Sequence, residues 1–98
     1  MLYQPFCVKE MWDTWMYYRN GIHHLFTLHR ADSSNWDGIS LATSTDGVCF
    51  QDRGIVLSKP AEAAWLGSGA VWPYENGYVM NYSLEIEGTQ RICFAVSP

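Results

Sequence analysis

The stretch Met11 to Leu28, MWDTWMYYRNGIHHLFTL, constrains the chain more than any other. Runs of apolar and aromatic residues flank Asn20-Gly21, and both residues of that pair accept the positive φ of a tight type I′ hairpin turn. The stretch therefore reads as two antiparallel strands, about Trp12 to Arg19 and about Ile22 to His29. On a period of two, Asp13, Trp15 and Tyr17 face one way, and Trp12, Thr14, Met16 and Tyr18 face the other. Both sets are bulky, so the first strand is expected to be covered on both faces.

The remaining segments repeat the same grammar. A polar connection, Arg30 to Gly38, leads to a strand over about Ile39 to Ser44; Asp46-Gly47 makes the next tight turn, and a fourth strand covers about Cys49 to Leu57, bent at Gly54. Ser58 to Leu66, with Pro60 and an Ala/Glu run, reads as a longer crossing with room for a short helical turn. Then come a strand of small residues over Gly67 to Tyr74, an Asn76-Gly77 turn, a strand over Tyr78 to Leu84, a polar loop over Glu85 to Thr89, and a strand over Gln90 to Ser97. Met1 to Glu10, interrupted by Pro5, is a lead-in or an edge strand.

This order is an internal repeat. Asn20-Gly21 and Asn76-Gly77 lie 56 residues apart, and Leu41-Ala42-Thr43-Ser44 matches Phe94-Ala95-Val96-Ser97 at an offset of 53. Four up-and-down strands repeating at roughly 50 residues are the signature of a β-propeller blade. The expected fold is all-β: antiparallel four-stranded blades, one over about residues 11–58 and an incomplete one over about 65–98. A propeller needs about four to eight blades to close, so the chain reads as part of a larger ring or as a unit that must self-assemble. The alternative is a two-sheet β-domain of about seven strands.

Composition supports this class. The 48% hydrophobic content against 16% charged is core-forming, and the 15% aromatic content favours pleated, half-buried surfaces. A net charge of −4 with no basic stripe argues against nucleic acid. No apolar run approaches the roughly 18 residues of a membrane-spanning helix, and MLYQPFCVKE lacks the charged and apolar regions of a signal peptide, which leaves the compartment open. Cys7, Cys49 and Cys93 are odd in number and show no Cys-x-x-Cys spacing, so neither a disulfide framework nor a zinc site is indicated, and no cofactor is implied. His23 and His24 are adjacent and point to opposite faces of a strand, which suits packing better than ligation.

Blade geometry brings three sets of residues to one face: Asp13 at the start of an inner strand, Trp36 in the connection after the second strand, and Trp65 in the crossing. Gly67, Ser68, Gly69 and Ala70 open the second inner strand beside them, leaving room for a ligand. Tryptophan faces stack on sugar C–H surfaces, and a carboxylate in an apolar setting is a candidate catalytic group; its bland reading is a strand-entry residue bonding to local N–H groups. Asp46 and Asp52 fall on the far face, Asp37 and Glu62 in flexible polar stretches, and Glu85 and Glu87 in a solvated loop. Asn81-Tyr82-Ser83 fits the glycosylation pattern but lies inside a strand.

Trp12-Asp13-Thr14-Trp15, Tyr17-Tyr18, Asn20-Gly21 and His24-Leu25-Phe26, followed by Ala42 to Gly47, Trp65 to Val71 and Phe94 to Ser97, together resemble the first two blades of the five-bladed propeller glycosidases, the invertase and levanase group together with the arabinanase and xylosidase group. The resemblance spans about residues 11–98 and rests on the order and spacing of motifs that are individually weak. It implies a glycosidase parent acting on fructan or plant-type oligosaccharides, with Asp13 as nucleophile or general base and Trp12, Trp15, Trp36, Trp65, Ser68 and Gly69 at the substrate. Trp12 and Thr14-Trp15 depart from the Asn-Asp-Pro-Asn-Gly pattern usual in fructan-cleaving members, and no residue matches the family's two later carboxylates. The chain alone is therefore expected to be inert or nearly so, because glycoside cleavage normally needs two carboxyl groups. Alternatives are a non-catalytic carbohydrate-binding or phosphorylase-type propeller and an interaction β-domain. The edge left after Gln90 to Ser97 is expected to favour self-association.

Overall fold

The computed structural model describes residues 3–4, 10–31 and 35–97; Cys7, Pro5 and the centre of the Arg30–Gly38 connection lie outside them. The described residues form eight strands and no helix, in two antiparallel sheets. The first sheet is a meander of β1 (Glu10–Arg19), β2 (Ile22–Arg30), β3 (Gly38–Ser44) and β4 (Gln51–Ser58), each paired with the next. The second contains β5 (Ala63–Gly67), β6 (Val71–Tyr74), β7 (Gly77–Ile86) and β8 (Thr89–Ser97). β8 pairs along one edge of β7, so β5 and β6 lie end to end along the other.

Several elements differ from the sequence expectation. The crossing contains no helical turn: a turn at residues 61–62 leads straight into β5, so Trp65 stands on a strand. The expected continuous strand over Gly67–Tyr74 is broken at residues 68–70. Gly69 permits this path, since it lies against the Asn81 backbone carbonyl so closely that any Cβ would collide with it. β4 begins at Gln51 rather than Cys49, and the bend at Gly54 is present, with φ 85 and a register shift beside it. β7 extends to Ile86, so the expected loop shrinks to a turn at residues 87–88.

The most consequential difference is one residue wide. The first hairpin turns on Asn20 and Gly21, with φ 53 and 79. The second turns on Glu75 and Asn76, with Glu75 at φ 53, and Gly77 is already paired to Tyr74. The structural offset between the inner hairpins is therefore 55, not the 56 of the Asn-Gly pairs. With 55 for the first two strand positions and 53 for the third, the registers coincide pair by pair. Met16–Leu25 and Tyr18–His23 become Val71–Met80 and Pro73–Tyr78. His23–Ser44, Leu25–Ala42 and Thr27–Ser40 become Tyr78–Ser97, Met80–Ala95 and Tyr82–Cys93.

A shift of one residue exchanges the two faces of a strand, so this offset decides how the sheets stack. The core joins Phe26, Leu28 and Ile39 of the first sheet to Leu66, Met80 and Leu84 of the second. Phe26 and Leu28 correspond to Asn81 and Ser83, on the opposite face of β7 from Met80 and Leu84. The sheets thus pack front to back, with unlike faces in contact. Ile39 and Leu66 are fully buried there, and burying each contributes roughly 1.5–3 kcal/mol. Arg19 adds polar ties by donating to the Gly77 and Asn76 carbonyls.

Front-to-back stacking leaves two outer faces. Trp72, Ile92, Phe94 and Val96 are exposed on one. Met16 and Tyr18 are exposed on the other, so the expectation that β1 is covered on both faces is corrected.

Candidate functional site

β1 reaches the site through a bulge. Met11 pairs with His29 and Thr14 with Thr27, so Trp12 and Asp13 together oppose the single residue Leu28. Such a two-against-one insertion breaks the alternation and re-aims side chains. Trp12 consequently leaves the face of Thr14 and Met16 and joins Asp13 on the Leu28 side, where the two line one pocket.

The second sheet is irregular at the same level. Leu28 corresponds to Ser83, whose partner is Gly67. Beyond Gly67 the chain leaves the sheet, and Asn81 holds the departure: its Oδ1 accepts from the Ala70 N–H at 2.6 Å, and its own N–H donates to the Ala70 carbonyl at 3.0 Å. Ser68 is thereby turned towards the first sheet, where its Oγ donates to Asp13 Oδ2 at 3.0 Å. Equivalent irregularities in two repeats thus meet across the interface through a hydroxyl–carboxylate bond.

Around this bond lies an open pocket of about 270 Å³ lined by Trp12, Asp13, Trp36, Trp65, Ser68 and Ser83, with Leu28, Leu66 and Gly67 at its base. Trp12 and Trp36 meet edge to face, with ring centroids 4.8 Å apart at 73°. The Arg30 guanidinium lies 5.9 Å from the centroid of the Trp36 ring and also pairs with Glu10. The Trp36 carbonyl accepts from the Leu66 N–H at 2.9 Å, so the β2–β3 connection is tied directly to β5.

Of the seven residues singled out from sequence, the structure brings Trp12, Asp13, Trp36, Trp65 and Ser68 into one lining. Trp15 instead stacks on Phe26 at 5.9 Å and 18° inside the core, and its buried Nε1 finds no hydrogen-bond partner among the described residues. Gly69 lies beneath Asn81 and shapes the chain path rather than the pocket wall.

Sequence reasoning missed His29 and misjudged Asp37. His29 is fully buried, with Nε2 3.8 Å from Asp37 Oδ1, and a Cβ at Gly38 would stand 2.6 Å from that nitrogen. Asp37 is no flexible loop residue. Its carboxylate accepts from the Ala31 N–H at 3.0 Å, its N–H donates to the His29 carbonyl at 3.1 Å, and its carbonyl accepts from the Lys59 N–H at 2.8 Å. Burial pushes the His29 pKa below its ordinary value, with the Asp37 charge pulling the other way. This pair fixes the base of the connection that carries Trp36. The available signal was parity: His29 shares a strand face with Leu25 and Thr27.

The far-side acids serve turns. Asp46 accepts from the Cys49 and Val48 N–H groups and from the Ser44 hydroxyl, which hold its carboxyl at a pKa of about 2. Asp52 accepts from the Gly54 N–H at 2.8 Å. Cys49 is exposed and Cys93 half-buried, both as free thiols.

No family model matches the chain, and comparisons with curated proteins and with solved structures find no match either.

Proposed function

We propose that the Asp13 pocket is a sugar-binding mouth. We further propose that Asp13 is one carboxylate of a glycosidase-type site on a five-bladed propeller, of which the two sheets form the first two blades. The observation that carries the reading is the Asp13–Ser68 bond at a rim of three tryptophans. A carboxylate beside a hydroxyl supplies the acceptor and donor that sugar hydroxyls require, and indole faces supply apolar surfaces for ring C–H groups. Front-to-back stacking of register-matched sheets supports the propeller part, because a ring of blades repeats one interface whereas a two-fold sandwich pairs like faces.

Catalysis by this chain alone is not part of the proposal. Cleavage normally takes two carboxyl groups, about 5–5.5 Å apart for retention or about 6.5–9.5 Å for inversion. Asp13 is the one carboxylate among the described residues lining the pocket. The chain is expected to bind without turnover and the parent to hydrolyse glycosidic bonds.

Intrinsic tryptophan fluorescence titrated with arabino-, xylo- and fructo-oligosaccharides tests this. The expected result is saturable quenching by one class, weakened about tenfold or more by Trp36→Ala and by Asp13→Ala. Absence of quenching at tens of millimolar would remove the sugar reading and leave an interaction β-domain. Turnover of aryl furanosides that disappears in Asp13→Asn would overturn the non-catalytic part alone.

A further inference from the structure

The charge balance of the Asp13 pocket favours a ligand that a neutral sugar does not supply. Among the residues lining it, Asp13 is the one charged side chain, and no Lys or Arg takes part. Its Oδ2 accepts from the Ser68 hydroxyl, while Oδ1 accepts no hydrogen bond among the described residues. The lining thus carries one unbalanced negative charge, set among three indoles.

The indoles are arranged as walls. Trp12 and Trp36 stand nearly perpendicular, at 73° with centroids 4.8 Å apart, so two walls meet at a corner. Trp65 adds a third. Its ring lies beside Gly67, where a Cβ would stand 3.2 Å from Trp65 Cζ3 and would collide with the Ser83 hydroxyl. The missing side chain at Gly67 therefore lets both groups approach the pocket floor. Indole has the strongest cation–π attraction of the aromatic side chains, because its faces carry the negative part of the ring quadrupole. One of these rings already carries a cation: the Arg30 guanidinium lies 5.9 Å from the Trp36 centroid, outside the lining, and pairs with Glu10.

We propose that this corner is an aromatic cage for a small quaternary ammonium ion of the choline type. Such a head group has no N–H to satisfy, and its charge is spread over methyl groups that pack against indole faces. A primary ammonium is compact and strongly hydrated, and here it would exchange its water for one carboxylate and two hydroxyls. The hydroxyl of choline finds an acceptor in Asp13 Oδ1 and a partner in Ser83. A carboxylate or phosphate on the ligand would face Asp13 with no basic group in the lining, so choline is favoured over betaine and phosphocholine. Size agrees: an apolar cavity of about 150 Å³ holds benzene, and this pocket of about 270 Å³ takes a trimethylammonium group with a short arm.

The inference needs the Asp13 charge and the indole faces but no sugar ring, so it stands apart from the sugar-binding reading, although the two ligands would compete for one site. Its test titrates choline onto the whole chain and follows the choline methyl resonance by proton NMR. Neohexyl alcohol, the uncharged carbon isostere, and betaine serve as comparators. The expected result is saturable binding of choline about tenfold or more tighter than of either, with an upfield methyl shift from the indole ring currents. Asp13→Asn should bring choline and the isostere to within about threefold of each other, and Trp36→Ala should weaken both. The contrast between ligands on the unaltered chain needs no variant to fold. Equal binding of the isostere would reduce the site to an apolar corner, and equal binding of betaine would remove the part played by the carboxylate. Either result overturns the proposal, as does the absence of an upfield shift at tens of millimolar. A chain that binds choline but no oligosaccharide would keep this proposal and lose the sugar reading.

Discussion

The two sheets share one backbone plan and differ in what they attach to it. After His29–Gly38 the first sheet inserts a connection that carries Trp36 and Asp37, binds back to His29, and reaches across to Lys59 and Leu66. At the same level the second sheet simply continues through Glu85–Gln90 and Ile86–Thr89 to a turn at residues 87–88. One repeat is elaborated and the other is close to the bare hairpin. A conserved ladder geometry leaves loop length as the cheap variable, and the candidate site lies where the elaborated loop of one repeat meets the broken strand of the next.

The largest expected effect probes what the sheets share, their common core. Leu66→Ala removes a fully buried side chain at the junction and should lower stability by about 2–5 kcal/mol in urea unfolding. Phe94→Ala, on the exposed outer face of the same sheet, should change it by about 0.5 kcal/mol or less. Similar losses for both would mean that the outer face is covered in solution.

The next perturbation attacks the broken strand. Gly69→Ala drives a methyl group into the Asn81 carbonyl and should cost about 1–3 kcal/mol. It should also disturb the Asp13–Ser68 bond, which the Ser68 hydroxyl exchange rate would report. The equivalent stretch of the first sheet, bulged rather than broken, has no such glycine.

The elaborated loop brings a pH dependence that its plain counterpart lacks, because Leu84 stands where the first sheet has His29. Burial lowers the folded-state pKa of His29, so between that value and the unfolded value of about 6.5 the unfolded chain binds more protons. The contribution is fully present above about pH 6.5 and is lost as pH falls towards the folded pKa. Urea midpoints measured from pH 7.5 down to 5 should fall, and His29→Gln should flatten the slope.

The smallest effect concerns the turns. Asn20 and Glu75 occupy equivalent sites with the same φ of 53, which Asn tolerates and Glu does not favour. Glu75→Asn should stabilise the chain by about 0.5 kcal/mol in thermal or urea unfolding. No gain would indicate that neighbouring contacts, not the intrinsic preference, hold that conformation.

Hairpins and repeat order were legible because Asn-Gly pairs and alternating apolar runs are local signals; strand number was not, since the single strand expected over Gly67–Tyr74 is divided at residues 68–70 and the described residues form eight strands rather than seven. The two Asn-Gly pairs misled by one residue, since Asn76-Gly77 straddles the turn and β7, and only the ladder reveals the true offset. Five of the seven candidate site residues were legible as aromatic and polar residues near strand entries. The bulge that joins Trp12 to Asp13, and the Asn81 clamp that turns Ser68 towards the first sheet, depend on partners distant in sequence. The burial of His29 beneath Gly38 belongs to the same class: each residue reads as ordinary, and their close approach is a tertiary fact.

The Asp13–Ser68 bond spans 55 residues of chain, while ladder pairing stays within each sheet, mostly between adjacent hairpin strands. Such topology favours early, independent formation of the two meanders, with docking between them late. The pocket would then be assembled at the final step of folding, and its closing bond would be among the first lost in partial opening. Native-state hydrogen exchange should accordingly find the rim between Gly67 and Ala70 opening at a lower free energy than the central ladder of β2 and β3, making the candidate site the most readily released part of the junction.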